Sequence, residues 1–297
     1  MYTIPPKKMV IINILDILKK YSDMDHRLTQ AQIIEILKKE YYMDVDRRTV
    51  KRNLMNLLDF DFGIDYTEII KKNEKGEEIP ICTDWYITRE FDDSEIRLLI
   101  DSVLFSKTIP QKQCKKLIDK LKGLSNIYFE KKVNHICSLP EIRPENKELF
   151  YTIDVLDEAI SKGKKVSFIY NSYGTDKKLH PKREREYVIN PYQMVATNGR
   201  YYLICNYDKY DTLSNYRIDR ITGIKMMNEK RKSIKELKEG EINLPKHMAE
   251  HLYMFAGESI RVKFKAKNYI IDQIIDWFGF GPKITKQDED TCMVEVE

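Results

Sequence analysis

The 297-residue sequence lacks long apolar runs and has little net charge. No segment approaches the roughly 20 apolar residues that a transmembrane helix needs, so we expect no contact with a membrane. The 51 Lys and Arg residues nearly balance the 47 Asp and Glu residues, which leaves a formal charge of +4. Such a balance excludes a histone-like polycation, so any binding of nucleic acid must use local patches of positive charge.

Cysteine is scarce and scattered. The five residues are odd in number, widely spaced and without a C-x-x-C pair, namely Cys82, Cys114, Cys137, Cys205 and Cys292. This pattern is typical of reduced thiols and argues against a disulfide framework or a zinc site. Residues 1–8 contain two prolines and no apolar core, so they do not form a signal peptide. We therefore expect a cytoplasmic protein.

Motifs for catalysis or cofactor binding are also missing. The sequence has no G-x-x-x-x-G-K phosphate loop and no G-x-S-x-G elbow. His247, Glu250 and His251 fit H-x-x-E-H, which on a helix places two imidazoles on one face as in some zinc peptidases. Those enzymes need a further acidic ligand well downstream, and only 46 residues follow His251. We expect two exposed histidines there, and no catalytic residue, metal or cofactor.

The first 90 residues predict three helices and a hairpin. Apolar residues at i, i+3, i+4 and i+7 indicate a first helix over residues 8–21. Thr29 and Gln32 form the sequence pattern of a capping box for a second helix, and Asp46 is a good N-cap for a third. Two strands are expected at residues 65–72 and 79–88, joined by a polar turn.

The third predicted helix is basic on one face. Val50, Leu54 and Leu57 would be buried, whereas the opposite face carries Arg47, Arg48, Thr49, Lys51, Arg52 and Asn53. Three helices and a hairpin with a basic third helix match the winged helix-turn-helix plan, which places that helix in the major groove of double-stranded DNA. Residues 7–89 carry 15 cations and 15 acids, so only the distribution of charge favours DNA binding over a plain interaction module.

The rest of the chain reads as a helical connector, a sheet domain and a small α/β module. Helices are expected at residues 92–107 and 110–123, followed by a loop with Pro140 and Pro144. After a helix to about residue 161, five short strands are predicted at 164–170, 187–197, 200–207, 215–219 and 223–227. The Asn198-Gly199 pair between two of them indicates a tight hairpin, and such strands predict a small, bent antiparallel sheet or barrel.

The final 67 residues predict a helix at 245–253, a strand at 259–265, a helix at 269–278 and strands near Lys283 and Met293. The sequence ends at Glu297 inside a strand-like run, which favours a module that is incomplete at that end.

Two stretches of the sheet region resemble a known family. The run Pro191-Tyr-Gln-Met-Val-Ala-Thr-Asn-Gly-Arg-Tyr-Tyr-Leu203, followed by Tyr216-Arg-Ile-Asp-Arg-Ile221, resembles the WYL domain of bacterial transcriptional regulators. The third helix, with Asp46-Arg-Arg-Thr-Val-x-Arg52, is similar to their recognition helix. Tyr201 stands where the family has its naming Trp.

The resemblance implies an α+β multidomain protein. It would consist of a winged helix-turn-helix (1–90), a helical linker and dimerisation region (91–146), a WYL domain with an Sm-like or SH3-like small barrel (147–230) and a C-terminal extension (231–297). The family further implies a basic aromatic pocket for a nucleotide or nucleic-acid fragment. The matching residues are Tyr170, Tyr202, Arg217 and Arg220.

The chemistry of these residues agrees with that role. Arginine grips phosphate with two parallel hydrogen bonds, and tyrosine offers a stacking face and a hydroxyl. Ten of the 19 tyrosines fall within residues 151–216, and residues 162–185 carry eight cations against two acids. On their strand, Tyr201 and Leu203 share the core face and Tyr202 faces the other way. Alternatively, Arg217 and Arg220 form structural ion pairs with Asp219 and nearby acids.

These features favour a DNA-binding regulator that acts as a homodimer and senses a negatively charged ligand. A second hypothesis is a single-stranded RNA or DNA accessory factor that uses the Tyr and Arg surface. A third is an enzyme, either a zinc hydrolase or a nuclease, for which the sequence offers little support.

Overall fold

The computed structural model describes residues 6–72, 76–133, 146–238, 254 and 260–296. The chain divides into two compact units, one formed by Met1–Phe105 with Lys112–Glu141 and the other by Ser106–Gln111 with Ile142–Glu297. Helices dominate the first unit and antiparallel sheets the second, so the protein is of mixed α/β class. No helix in the described part is long and apolar enough to cross a membrane.

The first unit begins with the helices and hairpin that the sequence predicts. These elements are α1 (Val10–Tyr21), α2 (Gln30–Tyr41), α3 (Arg47–Asp59), β1 (Ile64–Lys72) and β2 (Glu78–Ile87), with the two strands antiparallel. The capping box at Thr29 and Gln32 is confirmed, and the Asp46 side chain accepts a hydrogen bond from the backbone N–H of Thr49 at 2.9 Å. Capping satisfies N–H groups that a helix start otherwise leaves unpaired.

One apolar core joins these five elements. Ile14 of α1, Leu37 of α2, Leu54 of α3 and Trp85 of β2 are fully buried in it. The strand β2 is also bonded to the loop before α2, because Leu28 and Trp85 exchange two backbone hydrogen bonds of 2.8 Å. The hairpin is therefore fixed to the helices rather than projecting as a separate element.

Three further helices complete the first unit, α4 (Asp93–Phe105), α5 (Gln111–Lys122) and α6 (Ile127–Val133). The sequence predicts α4 and α5 but not the short α6. The ring of Tyr128 in α6 stacks on His26 with 3.6 Å between ring centroids, and Asn126 donates a hydrogen bond to Asp23 at 2.5 Å. These contacts attach α6 to the loop between α1 and α2.

The second unit contains α7 (Leu149–Lys162) and a curled sheet. Its strands are β3 (Lys164–Tyr173), β4 (Leu179–Pro181), β5 (Tyr187–Thr197), β6 (Arg200–Asn206), β7 (Leu213–Arg217) and β8 (Ile221–Lys230). The order is β4-β3-β5-β6-β7, and β8 also pairs with β3. The strand β3 pairs with β8 along most of its length, with β5 over residues 166–168 and with β4 over residues 171–173. The sheet curls around an apolar core that includes Leu156, Phe168 and Leu203.

Two local expectations in this sheet have different outcomes. The Asn198-Gly199 hairpin is confirmed, and both residues have the positive φ angles that its tight turn requires. The predicted strand over residues 215–219 is wrong at its end. The strand stops at Arg217, and Ile218–Arg220 form a 3₁₀ turn.

A small module follows, with β9 (Val262–Lys267), α8 (Ile271–Phe278), β10 (Lys283–Lys286) and β11 (Thr291–Val296). The strand order is β10-β11-β9, and α8 packs one face of this sheet through Ile274. The helix predicted over residues 245–253 and the H-x-x-E-H motif lie outside the described residues. Within those residues, no group of three or more His, Cys, Asp or Glu side chains could hold a metal ion.

Candidate nucleic-acid interface and tyrosine-arginine site

Helix α3 has one buried face and one cationic face. Val50 and Leu54 are fully buried and Leu57 nearly so, because they lie on the side that packs against α1 and α2. The side chains of Arg48, Lys51 and Arg52 are exposed and form no hydrogen bond or ion pair within the described parts of the chain. Because residues three and four apart share a helix face, these three charges form one patch, the α3 patch.

The other three predicted residues of α3 bond within the protein. Arg47 donates from Nε to Oε1 of Gln30 at 3.0 Å. Thr49 donates its hydroxyl to Asp46 at 2.8 Å, and Asn53 donates its amide to the backbone carbonyl of Thr49 at 2.8 Å. The hydrogen bonds from Thr49 also lower the pKa of the Asp46 carboxyl. Thr49 and Asn53 therefore stabilise the start of the helix, whereas the α3 patch remains open.

A further cation lies beside the hairpin. Arg27 is exposed, donates a hydrogen bond to Thr67 in β1 at 2.8 Å, and lies 4.7 Å from the ring centroid of Tyr86 in β2. Sequence reasoning missed this residue because its partners lie 40 and 59 positions away and only the fold brings them together. The hairpin also carries exposed Lys71 and Lys72 at the end of β1.

The second predicted site surrounds the 3₁₀ turn at Ile218–Arg220. The amide of Asn146 donates to the carbonyl oxygens of Asp219 at 3.1 Å and of Ile221 at 2.7 Å. Asn171 donates to the carbonyl oxygen of Arg220 at 3.0 Å. Both asparagines are buried, and they pair backbone groups that the end of β7 leaves free. Long-range bonds from these asparagines therefore hold the turn, which explains why strand periodicity did not predict it.

Arg217 pairs with Asp219 two residues later. Its Nε and Nη2 donate to the two carboxylate oxygens at 3.0 and 2.6 Å, and Asp219 is only 1% exposed. Burial lowers the pKa of the Arg217 guanidinium, but the hydrogen bonds and charge of Asp219 outweigh it and raise that pKa overall. The structural ion pair considered for Arg217 is thus present, and its charge is compensated inside the protein.

Within the described part of the chain, Arg220 contacts an aromatic ring and not a carboxylate. Its guanidinium carbon lies 5.8 Å from the ring centroid of Tyr173, a geometry suited to a cation–π contact. Its Nε is buried and has no hydrogen-bond acceptor among the described residues. Because a buried donor without an acceptor is costly, Arg220 is the arginine of this pair that an anion would satisfy.

The structure brings the four predicted ligand residues together. Tyr202 lies directly opposite Arg217 in the β6–β7 pairing, and the Tyr170 hydroxyl accepts a hydrogen bond from the Arg217 backbone N–H at 3.4 Å. Tyr202 faces away from the main core, as predicted, but it is buried against Val195 and Ile204. Tyr170 is also buried, and this burial raises its pKa. Neither ring offers an open stacking face without a side-chain movement.

A tyrosine cluster beside this site was not singled out from the sequence. Tyr216 lies 4.7 Å from Tyr170 and 5.6 Å from Tyr187 between ring centroids, and its hydroxyl is 2.9 Å from that of Tyr207. The guanidinium of exposed Arg183 lies 3.4 Å from the Tyr187 ring centroid. Burial raises the pKa of Tyr207 and Tyr216, so their hydroxyls keep their protons. The density of tyrosine in residues 151–216 was the available signal.

Comparisons with known proteins bear on this unit. Residues 151–226 match the family model described as the WYL domain. Comparison with curated proteins gave no match. Among solved structures, the chain is similar to proteasome accessory factor B/C (PafBC) of Arthrobacter aurescens, with 10% sequence identity and a TM-score of 0.30. That alignment covers 99% of this chain and 46% of the other, so this chain spans less than half of that protein's length.

The matched segment runs from α7 into β8 and includes all four predicted ligand residues. It also contains the Pro191–Leu203 run and the R-x-x-R element on which the sequence resemblance was based. That resemblance is confirmed, and the chain is a protein with a WYL domain at residues 151–226.

Proposed function

We propose that this protein is a cytoplasmic, sequence-specific DNA-binding transcription regulator whose WYL domain senses a nucleotide or nucleic-acid fragment. In this proposal, α1 to α3 with the β1–β2 hairpin act as a winged helix-turn-helix, and the curled sheet acts as an Sm-like small barrel. The protein has no enzymatic activity of its own.

The α3 patch is the observation that carries the proposal. Arg48, Lys51 and Arg52 are exposed and unpaired in the described chain, although cations and acids are nearly balanced over the whole sequence. A recognition helix needs this arrangement, since its buried face fixes its position and its exposed face meets phosphates and base edges. Arg27 and the lysines of β1 supply further positive charge beside the hairpin.

Exposed apolar side chains support a dimer. Leu98 and Phe105 on α4 are 67% and 68% exposed and lie seven residues apart, on one side of the helix. Burial of such side chains in a second copy would stabilise a two-fold dimer, and two half-sites on the DNA would match it. Light scattering should detect a dimer that Leu98→Asp with Phe105→Asp converts to a monomer.

DNA recognition is tested by selecting bound duplexes from a random pool and measuring mobility shifts. The selected duplex should bind more tightly than a scrambled one, and Arg48→Ala with Arg52→Ala should weaken it by roughly tenfold or more. The matched control is Lys115→Ala with Lys116→Ala, two exposed cations of α5. Equal affinity for all duplexes, with the α3 variant silent, would contradict the proposal.

Ligand sensing rests on Arg220, the arginine with the unsatisfied buried Nε. A trinucleotide should raise the melting temperature of the protein, and Arg220→Ala should abolish that rise. Lys230→Ala serves as a control because this exposed cation ends β8 opposite Lys164, ten residues from Arg220 along the chain. A shift that persists in Arg220→Ala places the ligand elsewhere.

The alternative function is an accessory factor that binds single-stranded RNA or DNA through the WYL domain. The contact between Arg183 and the Tyr187 ring favours this alternative, since the exposed guanidinium offers a flat surface on which a nucleic-acid base can stack. In that case single strands should outcompete every duplex in the selection.

A further inference from the structure

The turn between α1 and α2 is folded around the carboxylate of Asp23. That carboxylate accepts hydrogen bonds from the backbone N–H groups of Asp25 and His26 at 2.9 and 2.7 Å, and Nδ1 of the His26 ring lies 2.9 Å from it. The side-chain amide of Asn126 donates a further hydrogen bond at 2.5 Å, although it lies 103 positions later in the chain. The shape of the turn therefore depends partly on a side chain from another element.

Asn126 attaches helix α6 to this turn. Its side-chain oxygen accepts hydrogen bonds from the backbone N–H groups of Tyr128 and Phe129, both at 3.0 Å, so it pairs the start of α6 while its nitrogen bonds Asp23. The ring of Tyr128 stacks on His26 with 3.6 Å between centroids and 9° between ring planes. We call the Asn126–Asp23 bond and the Tyr128–His26 stack the α6 contact.

The residue after His26 in the turn is Arg27, which is exposed. Its Nε donates to the carbonyl oxygen of Met24 at 2.9 Å and its Nη1 to the Thr67 hydroxyl at 2.8 Å. The guanidinium carbon lies 4.7 Å from the ring centroid of Tyr86. No carboxylate pairs with Arg27 in the part of the chain that the structure describes. The turn and the hairpin therefore hold this positive charge in one place without neutralising it.

Helix α6 also has contacts with a purely structural role. Phe129 and Val133 are buried, and the Ser125 hydroxyl donates to Asp93 of α4 at 2.8 Å. Burial of two apolar side chains is enough to hold a short helix on its unit. The α6 contact differs from these, because it ends on the residue next to Arg27 in the chain. That placement favours a role in orienting the arginine over simple attachment of the helix.

We propose that the α6 contact positions Arg27 to bind a backbone phosphate of duplex DNA, an inference that rests on the proposed regulator function. An arginine already held in one geometry loses less conformational freedom when it grips a phosphate, so the complex is more stable. The bond to Met24 and the Tyr86 ring orient the guanidinium, and the α6 contact holds the backbone beside it. Tyr128 and Asn126 are positioning residues, since they act through Arg27.

This arrangement makes the helical linker a control point for DNA affinity. A movement of α6 away from the turn frees the backbone that carries Arg27. The α3 patch stays in place, because the apolar core that α3 shares with α1 and α2 supports it. Affinity for duplex DNA then falls without loss of the recognition helix.

The test is the affinity of the full chain for the selected duplex, measured by fluorescence anisotropy at several KCl concentrations. Arg27→Ala should weaken binding roughly fivefold and reduce the slope of log K against log salt by about 0.9, the value for one lost phosphate contact. Tyr128→Ala should weaken binding to nearly the same extent and reduce the slope in the same way. Tyr128→Phe keeps the stacked ring and should bind like the parent protein.

Two further variants separate positioning from folding. His26→Ala removes the stack without changing α6 and should reproduce the smaller slope. Ser125→Ala, the matched control, removes a hydrogen bond from the same segment to Asp93 and should leave affinity and slope unchanged. Tyr128→Ala added to Arg27→Ala should cause no further loss, because a positioning residue acts only through the residue that it positions. Circular dichroism melting curves check that each variant is folded during the binding measurement.

The inference and the proposed function fail in different ways. If the parent protein binds a selected duplex through the α3 patch but Tyr128→Ala and His26→Ala keep its affinity and salt slope, the inference is overturned and the regulator function stands. Equal losses in Tyr128→Ala and Ser125→Ala would also overturn it, as would an additive loss in the double variant with Arg27→Ala. If no duplex is selected, both proposals fall.

Discussion

The α3 patch and the Arg217–Arg220 turn both present arginines, but they hold these charges in opposite ways. On α3, Arg48 and Arg52 have no partner in the described chain, and the helix beneath them is fixed by its own core. In the turn, Arg217 is locked to a buried carboxylate and Asn146 and Asn171 hold the backbone. The arginines of the α3 patch are free to contact a partner, whereas the charge of Arg217 is already compensated inside the protein and only Arg220 of the turn keeps a donor that is unsatisfied in the described chain.

This difference separates two meanings of an arginine motif. A charge that is unpaired contributes to binding and little to stability. A charge that is buried and paired contributes to stability when intact and is costly when its partner is removed. We therefore expect variants of the α3 patch to lose affinity for DNA with little change in stability, and variants of the Arg217–Asp219 pair to lose stability.

The largest effect is expected from removing Asp219. Asp219→Ala leaves the half-buried Arg217 guanidinium without its carboxylate and should lower the free energy of unfolding by about 3 kcal/mol. Urea unfolding followed by circular dichroism measures it. The control is Asp101→Ala, which breaks an exposed pair with Arg97 and should cost no more than about 0.5 kcal/mol. Equal losses of unfolding free energy in the two variants would show that the Arg217–Asp219 pair stabilises the fold no more than an exposed pair does.

A smaller effect is expected at the start of α3. Asp46→Ala removes the N-cap that accepts hydrogen bonds from the backbone and hydroxyl of Thr49, and should lower the free energy of unfolding by less than Asp219→Ala does. Asp44→Ala, two residues earlier and exposed, is the matched control and should be close to neutral. Asp46→Asn should restore most of the loss, because asparagine also caps helices well.

Sequence patterns predict much of the fold because its signals are local. Apolar spacing and capping residues predicted α1 to α3, and the Asn198-Gly199 pair predicted the β5–β6 hairpin. Helix α6 and the 3₁₀ turn depend on contacts between residues far apart in the sequence, such as Asn171 with Arg220 and Asn126 with Asp23. No window of sequence contains such pairs.

The candidate sites show the same division. The α3 patch follows from helical periodicity alone, so its position could be predicted. Residue type and motif brought Tyr170 and Tyr202 into the ligand set, but their burial depends on how the sheet curls. The contact between Arg183 and Tyr187 was not predicted, because a loop residue that stacks on a strand residue leaves no regular spacing in the sequence.

A weaker, pH-dependent effect is expected at Asp23. Burial opposes ionisation of this carboxyl, but hydrogen bonds from His26 and Asn126 outweigh it and lower its pKa below the ordinary 3.8. A lowered folded-state pKa contributes stability that is present above 3.8 and is lost as the pH falls below it. The melting temperature of Asp23→Asn should therefore fall less than that of the parent protein between pH 5 and pH 2.5. At pH 5 the free energies of unfolding of Asp23→Asn and of the parent protein should differ by less than about 1 kcal/mol, since the Asp23–His26 pair is partly exposed.

The smallest change in stability is expected where the change in binding is largest. Arg48→Ala with Arg52→Ala removes two side chains that contact no acid in the described chain, so the free energy of unfolding should stay within about 0.5 kcal/mol of the parent protein. Alanine also has the higher helix propensity, which offsets any lost packing of the arginine stems. The same urea unfolding experiment used for Asp219→Ala measures this value. A loss of 2 kcal/mol or more would mean that the two arginines stabilise the helix, and the contrast between the α3 patch and the Arg217 pair would disappear.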